Sequence, residues 1–266
     1  MKSVFAALCA ASLLLLAGCA TSPTGRQQLM LVSPSQMSQL GLDSFNQMRK
    51  QGKFANAPRE KAYATCVADA LIRVLPKPWS SEDWQVEIIN DDGANAFALP
   101  GGRIGVNKGM FKIASNQDQL AVVLGHELSH VVARHSAERV SDNLAVQTGV
   151  AAAGAYGASK GMNPDMLMAA LGLGSQVGIL LPFSRTQESE ADTLGQRYMA
   201  EAGFNPEAAV TLWQKMDSAG GAHPPAFLST HPSPGQRAQT LGREAQRLMP
   251  VYKSARASGH KPNCHM

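Results

Sequence analysis

The chain has 266 residues, 44% of them hydrophobic and 17% charged, enough apolar length to bury a core and too apolar to stay disordered. Its formal net charge of +4 comes from Lys and Arg spread singly, with no basic block or interleaved aromatic run, which argues against nucleic acid as a partner. One domain with appendages is the expectation for this length.

The N-terminus reads as an export signal. Lys2 supplies a minimal positive start, Val4 to Leu16 an apolar stretch, and Leu16-Ala17-Gly18 the small residues before a cut at Cys19. The apolar run is too short to prefer a permanent span. Ahead of Cys19 the pattern resembles the bacterial lipobox. That resemblance implies a signal peptide over 1–18, lipidation of Cys19, and anchoring by acyl chains; Ala20, in place of Asp, points by the same resemblance to the periplasmic side of the outer membrane. Thr21 to Gly25 has the composition of a tether, so residues 19–34 are expected to be a lipidated linker. Cys9 leaves with the signal and Cys19 is consumed by lipid. The remaining pair, Cys66 and Cys264, sits in an oxidising compartment and predicts a disulfide that ties a 251–266 tail to the early domain.

The main domain is expected over 35–250. Ser35 to Lys50 reads as a first helix, and Arg59 to Leu75 as a second, with Ala62, Cys66, Ala70 and Val74 at helical spacing before Pro76. Trp84 to Asn90 alternates as a strand, and Ala96 to Val106 reads as a hairpin folded at Pro100-Gly101-Gly102. Ser115 and Asp118 mark the start of a long apolar-periodic helix expected to run to about Arg139. Leu144 to Phe183 is rich in Ala, Gly, Leu and Met, which suggests two helices and a possible lid; Gln147, Ser175 and Gln176 favour a packed or membrane-surface pair over spans. Ser184, with Gln187 three residues on, caps another helix that Gly203 closes. A helix from Pro206 to Met216, a loop from Gly220 to Pro234, and a last amphipathic helix from Gly235 to Met249 complete the chain.

The long helix carries His126-Glu127-Leu128-Ser129-His130. Two His four residues apart on a helix are rotated by only about 40° and lie one turn apart, so both imidazoles can meet one ion. Glu127 is turned about 100° from His126, beside such an ion and placed to act as a general base. A catalytic zinc needs a third protein ligand. His135 lies about 140° round from His130 on an unbroken helix, with no Gly to turn the chain back, and is read as a packing or hydrogen-bonding residue. On the later capped helix Glu188 and Glu190 compete. Glu188 shares its face with Ala191, Asp192, Gly195 and Tyr198, and Glu190 with Thr193, Leu194, Arg197 and Glu201; the first set suits packing on the HELSH helix, which favours Glu188. Asp192, one turn on, can accept a hydrogen bond from a ligating His.

HELSH, Glu188-Ser189-Glu190-Ala191-Asp192, and Thr230-His231-Pro232 followed by Arg237 together resemble peptidase family forty-eight, the zinc metallopeptidases of HtpX and CAAX prenyl protease type. Lacking convincing spans, the chain looks like the periplasmic BepA/LoiP-like lipoprotein branch. The resemblance covers roughly Asn95 to Arg237. It implies an α+β fold of gluzincin type, one zinc per chain on His126, His130 and Glu188, Glu127 as the catalytic base, and Asp192 as the ligand's partner. It places His231 near the metal as a displaceable fourth ligand or a contact to the reacting groups. The hairpin over Asn95 to Gly102 would border the cleft and pair with polypeptide substrates in extended form. The implied activity is endopeptidase quality control of unfolded or misassembled envelope proteins. A chaperone-like assembly lipoprotein with a latent or structural zinc site is the alternative, and an envelope protein partner fits either.

Overall fold

The computed structural model describes residues 19–159, 183–219, 226–231 and 237–266. The expected signal peptide lies outside the described residues, as do 160–182 of the expected lid and most of the Gly220–Pro234 loop. Two compact units emerge: Met1–Pro34 with Arg134–Leu181, and Ser35–Ala133 with Pro182–Met266. Of the described residues in the span expected to be one domain, 134–159 fall in the same unit as 19–34.

In the larger unit, α1 (Pro34–Lys50) and α2 (Pro58–Ile72) lead into β3 (Gln85–Ile89), β4 (Ala96–Leu99) and β5 (Arg103–Asn107). The sheet order is β3-β5-β4, with β3 parallel and β4 antiparallel to β5. β4 is thus an edge strand. Its turn to β5 uses Gly101 and Gly102 at φ 87° and 75°, a left-handed region closed to most side chains. After a single turn, α3 (Met110–Ile113), comes α4 (Gln117–Val132), the centre of the core, with every residue from Gln119 to Val132 buried. A helix apolar on all faces has to be wrapped by others. α6 (Arg185–Glu201), α7 (Ala208–Ala219), the short α8 (Ala226–Thr230) and α9 (Arg237–Ala257) follow. Cys66 on α2 and Cys264 in the tail form a disulfide.

Several boundaries differ from the sequence reading. The cap of α4 is Asn116, whose side chain accepts from the Gln119 amide at 2.9 Å, rather than Ser115 or Asp118. α4 stops at Val132, and Arg134 takes φ 57° before α5 (His135–Ser159) starts, so the helix carrying HELSH is not unbroken to Arg139. The last helix runs through Pro250 to Ala257; Pro250 is exposed, where the carbonyl it leaves unbonded can be solvated. Part of the expected loop is α8.

The smaller unit overturns the tether. Residues 19–29 form a hairpin, β1 (Cys19–Thr21) against β2 (Gln27–Leu29), with Cys19 opposite Leu29. Pro23, Thr24 and Gly25 make its turn, since turn and tether share one composition. Arg26 forms a fork with the buried Glu138 of α5, its Nη2 lying 2.7 Å from Oε2, and Gln28 donates to the same carboxylate at 3.1 Å.

Candidate metal centre

Two helices build the site. α4 presents His126, Glu127 and His130, and α6 enters through a capping box in which Ser184 and Gln187 bond each other's backbone at 3.2 and 3.0 Å. The helices meet at bare backbone. A Cβ added to Gly195 would lie 2.8 Å from the Gly125 carbonyl carbon and from the His126 amide nitrogen. That close approach is what carries Glu188, two turns before Gly195, onto the histidines.

His126, His130, Glu188 and His231 are all buried, and one potential ligand atom from each lies within 4.8 Å of the others. His126 Nε2 is 3.0 Å from His130 Nε2 and 3.3 Å from Glu188 Oε2. His130 Nε2 is 3.4 Å from Glu188 Oε1. Ligands at zinc bond lengths in a tetrahedron stand about 3.4 Å apart, so these spacings fit one ion.

The hydrogen-bonding pattern fits a cation as well. His126 Nδ1 is 3.0 Å from Asp192 Oδ1, an acceptor when ionised, so the proton sits on Nδ1 and the Nε2 lone pair faces inward. There it meets other acceptors, and the buried Glu188 Oε2 has no hydrogen-bond partner. Lone pairs turned on one another in a dry site call for positive charge. With protons alone to balance it, His126 is pushed up to about 9: burial opposes this, and Glu188 and Asp192 outweigh it. Burial would raise Glu188, but His126 and the other imidazoles hold it far below the usual carboxylate range.

Asp192 is itself held. Burial works against its charge, and Arg237 and His126 overcome that and lower it. Arg237 Nη2 lies 2.6 Å from Asp192 Oδ1 and Nη1 3.3 Å from Glu188 Oε2. The guanidinium also lies 3.6 Å over the Trp213 ring, a stacked cation–π contact. Arg237 is thus committed to Asp192, behind His126, and to Glu188 of the cluster itself.

Glu127 is buried at 3% exposure. Burial raises its carboxyl above the usual value, with His231 and His126 opposing and a backbone hydrogen bond from Ala98 of β4 lowering it slightly. Its Oε1 has no hydrogen-bond partner and lies 3.4 Å from His231 Nε2. His231 bridges the site, because its Nδ1 is 2.9 Å from Glu188 Oε1 and 3.2 Å from His126 Nε2. It follows α8, where Phe227 bonds the Ala94 carbonyl at 3.0 Å and stacks on the imidazole at 4.3 Å. Phe183 stacks on His130 at 3.8 Å.

Among the residues expected from sequence, the structure brings His126, Glu127, His130, Glu188, Asp192 and His231 together. His135, although buried, is not one of the four converging side chains, and it opens a new helix rather than continuing α4. Glu190 also falls outside the cluster, and it is buried rather than solvated, so convergence and not burial separates it from Glu188. Sequence reasoning missed Trp213, Phe183 and Phe227. Aromatic residues in loops and on a separate helix carry no spacing signal for this site.

A family model described as Peptidase family M48 matches residues 58–245. Over 178 residues the chain is 40% identical to the mitochondrial metalloendopeptidase OMA1 of Schizosaccharomyces pombe, covering 66% of this chain and 51% of that protein. It is 35% identical over 171 residues to the beta-barrel assembly-enhancing protease of Escherichia coli K12, covering 62% and 35%. With the mitochondrial metalloendopeptidase OMA1 of Bos taurus the figures are 31% over 235 residues, 83% and 44%. The chain therefore spans about half the length of these relatives, or less.

Proposed function

The chain belongs to peptidase family M48, a zinc-dependent metallopeptidase family, and from that premise we propose that it is a zinc endopeptidase of the bacterial cell envelope. The observation that carries the reading is the convergence of His126, His130 and Glu188 with Glu127 buried beside them. In this reading the three side chains hold zinc and Asp192 fixes the His126 ring. Zinc in such a set polarises the scissile carbonyl and lowers the pKa of water toward about 7. Glu127, kept basic by burial, accepts the proton of the attacking water and returns it to the leaving amine. The substrate strand pairs along β4, whose Ala98 backbone already bonds the Glu127 carboxylate. Recognition through main chain suits unfolded or misassembled envelope proteins.

The location rests on Leu16-Ala17-Gly18-Cys19, read as a lipobox that anchors the chain to the periplasmic face of the outer membrane. The Cys66–Cys264 disulfide supports an oxidising compartment. One relative is named for beta-barrel assembly; the mitochondrial relatives support the chemistry and not the place.

One observation favours a second reading. His231 stands at ligand distance from the cluster, and a fourth protein ligand closes a zinc site as structural sites are closed. That would make the chain an assembly or chaperone-like lipoprotein with a latent site. Glu127→Gln separates the two. The peptidase reading expects casein degradation and self-cleavage to fall by about 10²- to 10⁴-fold with one zinc per chain retained by metal analysis. Unchanged degradation with zinc still bound would sink it.

A further inference from the structure

The smaller unit carries a surface that the peptidase site does not use. Six large apolar side chains are exposed among the described residues: Leu31, Leu40, Leu144, Val146, Val251 and Met266. Three of them, Leu31, Leu144 and Val146, belong to this unit, and the hairpin fixes where they stand relative to Cys19. The segment after β2 runs alongside α5 in the same direction, since Arg26 and Gln28 bond Glu138 while the Leu31 amide bonds Ser141 Oγ at 2.8 Å. β1 returns antiparallel, with Thr21 opposite Gln27 and Cys19 opposite Leu29. Cys19 is therefore at the end of the hairpin that reaches toward Ser141, one helical turn before Leu144.

From there α5 leaves the packed unit. Every side chain from Leu144 to Gly149 is exposed, and no charged residue occurs from Asn143 to Ser159. Leu144 and Val146 stand about 200° apart round the helix, so apolar side chains point to opposite sides rather than in one stripe. Over Leu144 to Gly149 this leaves exposed apolar side chains with no charged residue among them to keep them in water. Beside an acylated Cys19 the apolar medium at hand is the leaflet its acyl chains enter, and a segment sunk at the headgroup boundary meets lipid along its flanks as well as beneath it. No described helix is long and apolar enough to cross a membrane, which fits contact at the interface instead of a span.

We propose that Leu31 and the stretch Asn143–Gly149 form a contact with the bilayer surface beside Cys19. This rests on the lipoprotein reading for its location, and it adds a second attachment held rigidly to the first. The acyl chains on Cys19 would hold the protein at the bilayer, and the patch beside them would fix which face it turns to the lipid. Asp142, exposed at the border of the patch, disfavours an anionic surface, so the occupant is zwitterionic lipid.

The test uses the mature chain from residue 19 carrying Cys19→Ser, which removes the acylation site and keeps the patch. This protein is expected to float with phosphatidylcholine vesicles in a density gradient. Adding Leu31→Glu, Leu144→Glu and Val146→Glu is expected to lower the floated fraction about tenfold, with zinc content and casein degradation unchanged. The proposal is overturned if the Cys19→Ser protein stays unbound, or if the triple change leaves flotation as it was. A dimer in light scattering that the triple change dissolves, without flotation, gives the face to a second copy and overturns it too. Mass measurement of the N-terminal peptide from the unsubstituted protein reports acylation of Cys19 separately, so loss of the anchor reading and loss of the patch are distinguishable.

Discussion

The two units solve opposite problems with polar and apolar groups. The metal-binding unit buries two histidines and three carboxylates on two crossing helices, and packs apolar residues from α2, β4 and α7 against the HELSH helix. The smaller unit pairs the buried Glu138 with Arg26 and Gln28, and leaves Leu31, Leu144 and Val146 on its surface. Buried charge is destabilising unless it is paired or metallated. In the first unit the charges converge where one cation can balance them; the second uses one pair to hold a hairpin to a helix. The difference teaches that stability and metal affinity are coupled in one unit and separable in the other.

Removing a ligand tests the coupling most severely. Glu188→Gln keeps the shape and deletes the charge that four neighbouring groups address. Zinc affinity is expected to fall by more than the roughly 100-fold that a loss behind the ligands produces, and proteolysis to vanish with it. Competition with a chromogenic chelator measures this. Zinc held as tightly as before would move the third ligand elsewhere and break the comparison at its root.

Next in size is the staple inside the metal-binding unit. Cys66 and Cys264 are separated by 198 residues, and closing so long a loop restricts the unfolded chain by up to about 5 kcal/mol in the entropy model, with about 2–5 typical on removal. The tail is also bonded to the start of α4, where Gln117 holds the Pro262 carbonyl at 3.1 Å and the Cys264 amide at 2.9 Å. Cys66→Ser with Cys264→Ser is expected to lower the melting temperature of the zinc-loaded protein and to free the tail for hydrogen exchange. An unchanged melt would mean the tail is held by the Gln117 hydrogen bonds without help from the disulfide.

How much of this could be read beforehand depended on range. The i, i+4 histidines and the i, i+4 pair of Glu188 and Asp192 are local, and helix geometry alone turns each pair to one side. Two cysteines left over in an exported chain suggested their own pairing. The end of α4 was hidden because Arg134 takes a left-handed φ without a Gly to announce it, while the apolar period continues through Ala137 and Val140. Strands of three residues are too short to show alternation, so the hairpin passed for a tether. The Arg237 stack on Trp213 joins separate helices, and nothing in either local pattern points to the other.

Gly195→Ala sharpens the comparison without changing a ligand side chain. The new Cβ would sit 2.8 Å from backbone atoms of Gly125 and His126, and backbone cannot rotate aside as a side chain can. Overpacking of this kind costs about 1–3 kcal/mol. The expected signature is a joint fall in melting temperature and zinc affinity, since separating α4 from α6 draws Glu188 away from both histidines. A fall in stability with zinc affinity intact would show that the ligand set tolerates movement of the helices.

The smallest effect on the site is expected from Arg26→Ala. It removes the fork on Glu138, buried at 7% exposure, and keeps the Gln28 hydrogen bond; loss of a partner from a partly exposed pair is worth about 1 kcal/mol. Arg26 is itself about a quarter exposed, so solvent replaces part of what is lost. Hydrogen exchange should quicken over residues 19–31 and the first turns of α5, because the hairpin's fork is what fastens it there. Zinc affinity and casein turnover should stay as they were, since His126, His130, Glu188 and His231 all lie in the other unit. If both fell together with Arg26, the separation drawn between the units would be wrong, and the hairpin would have to be counted as part of the catalytic scaffold.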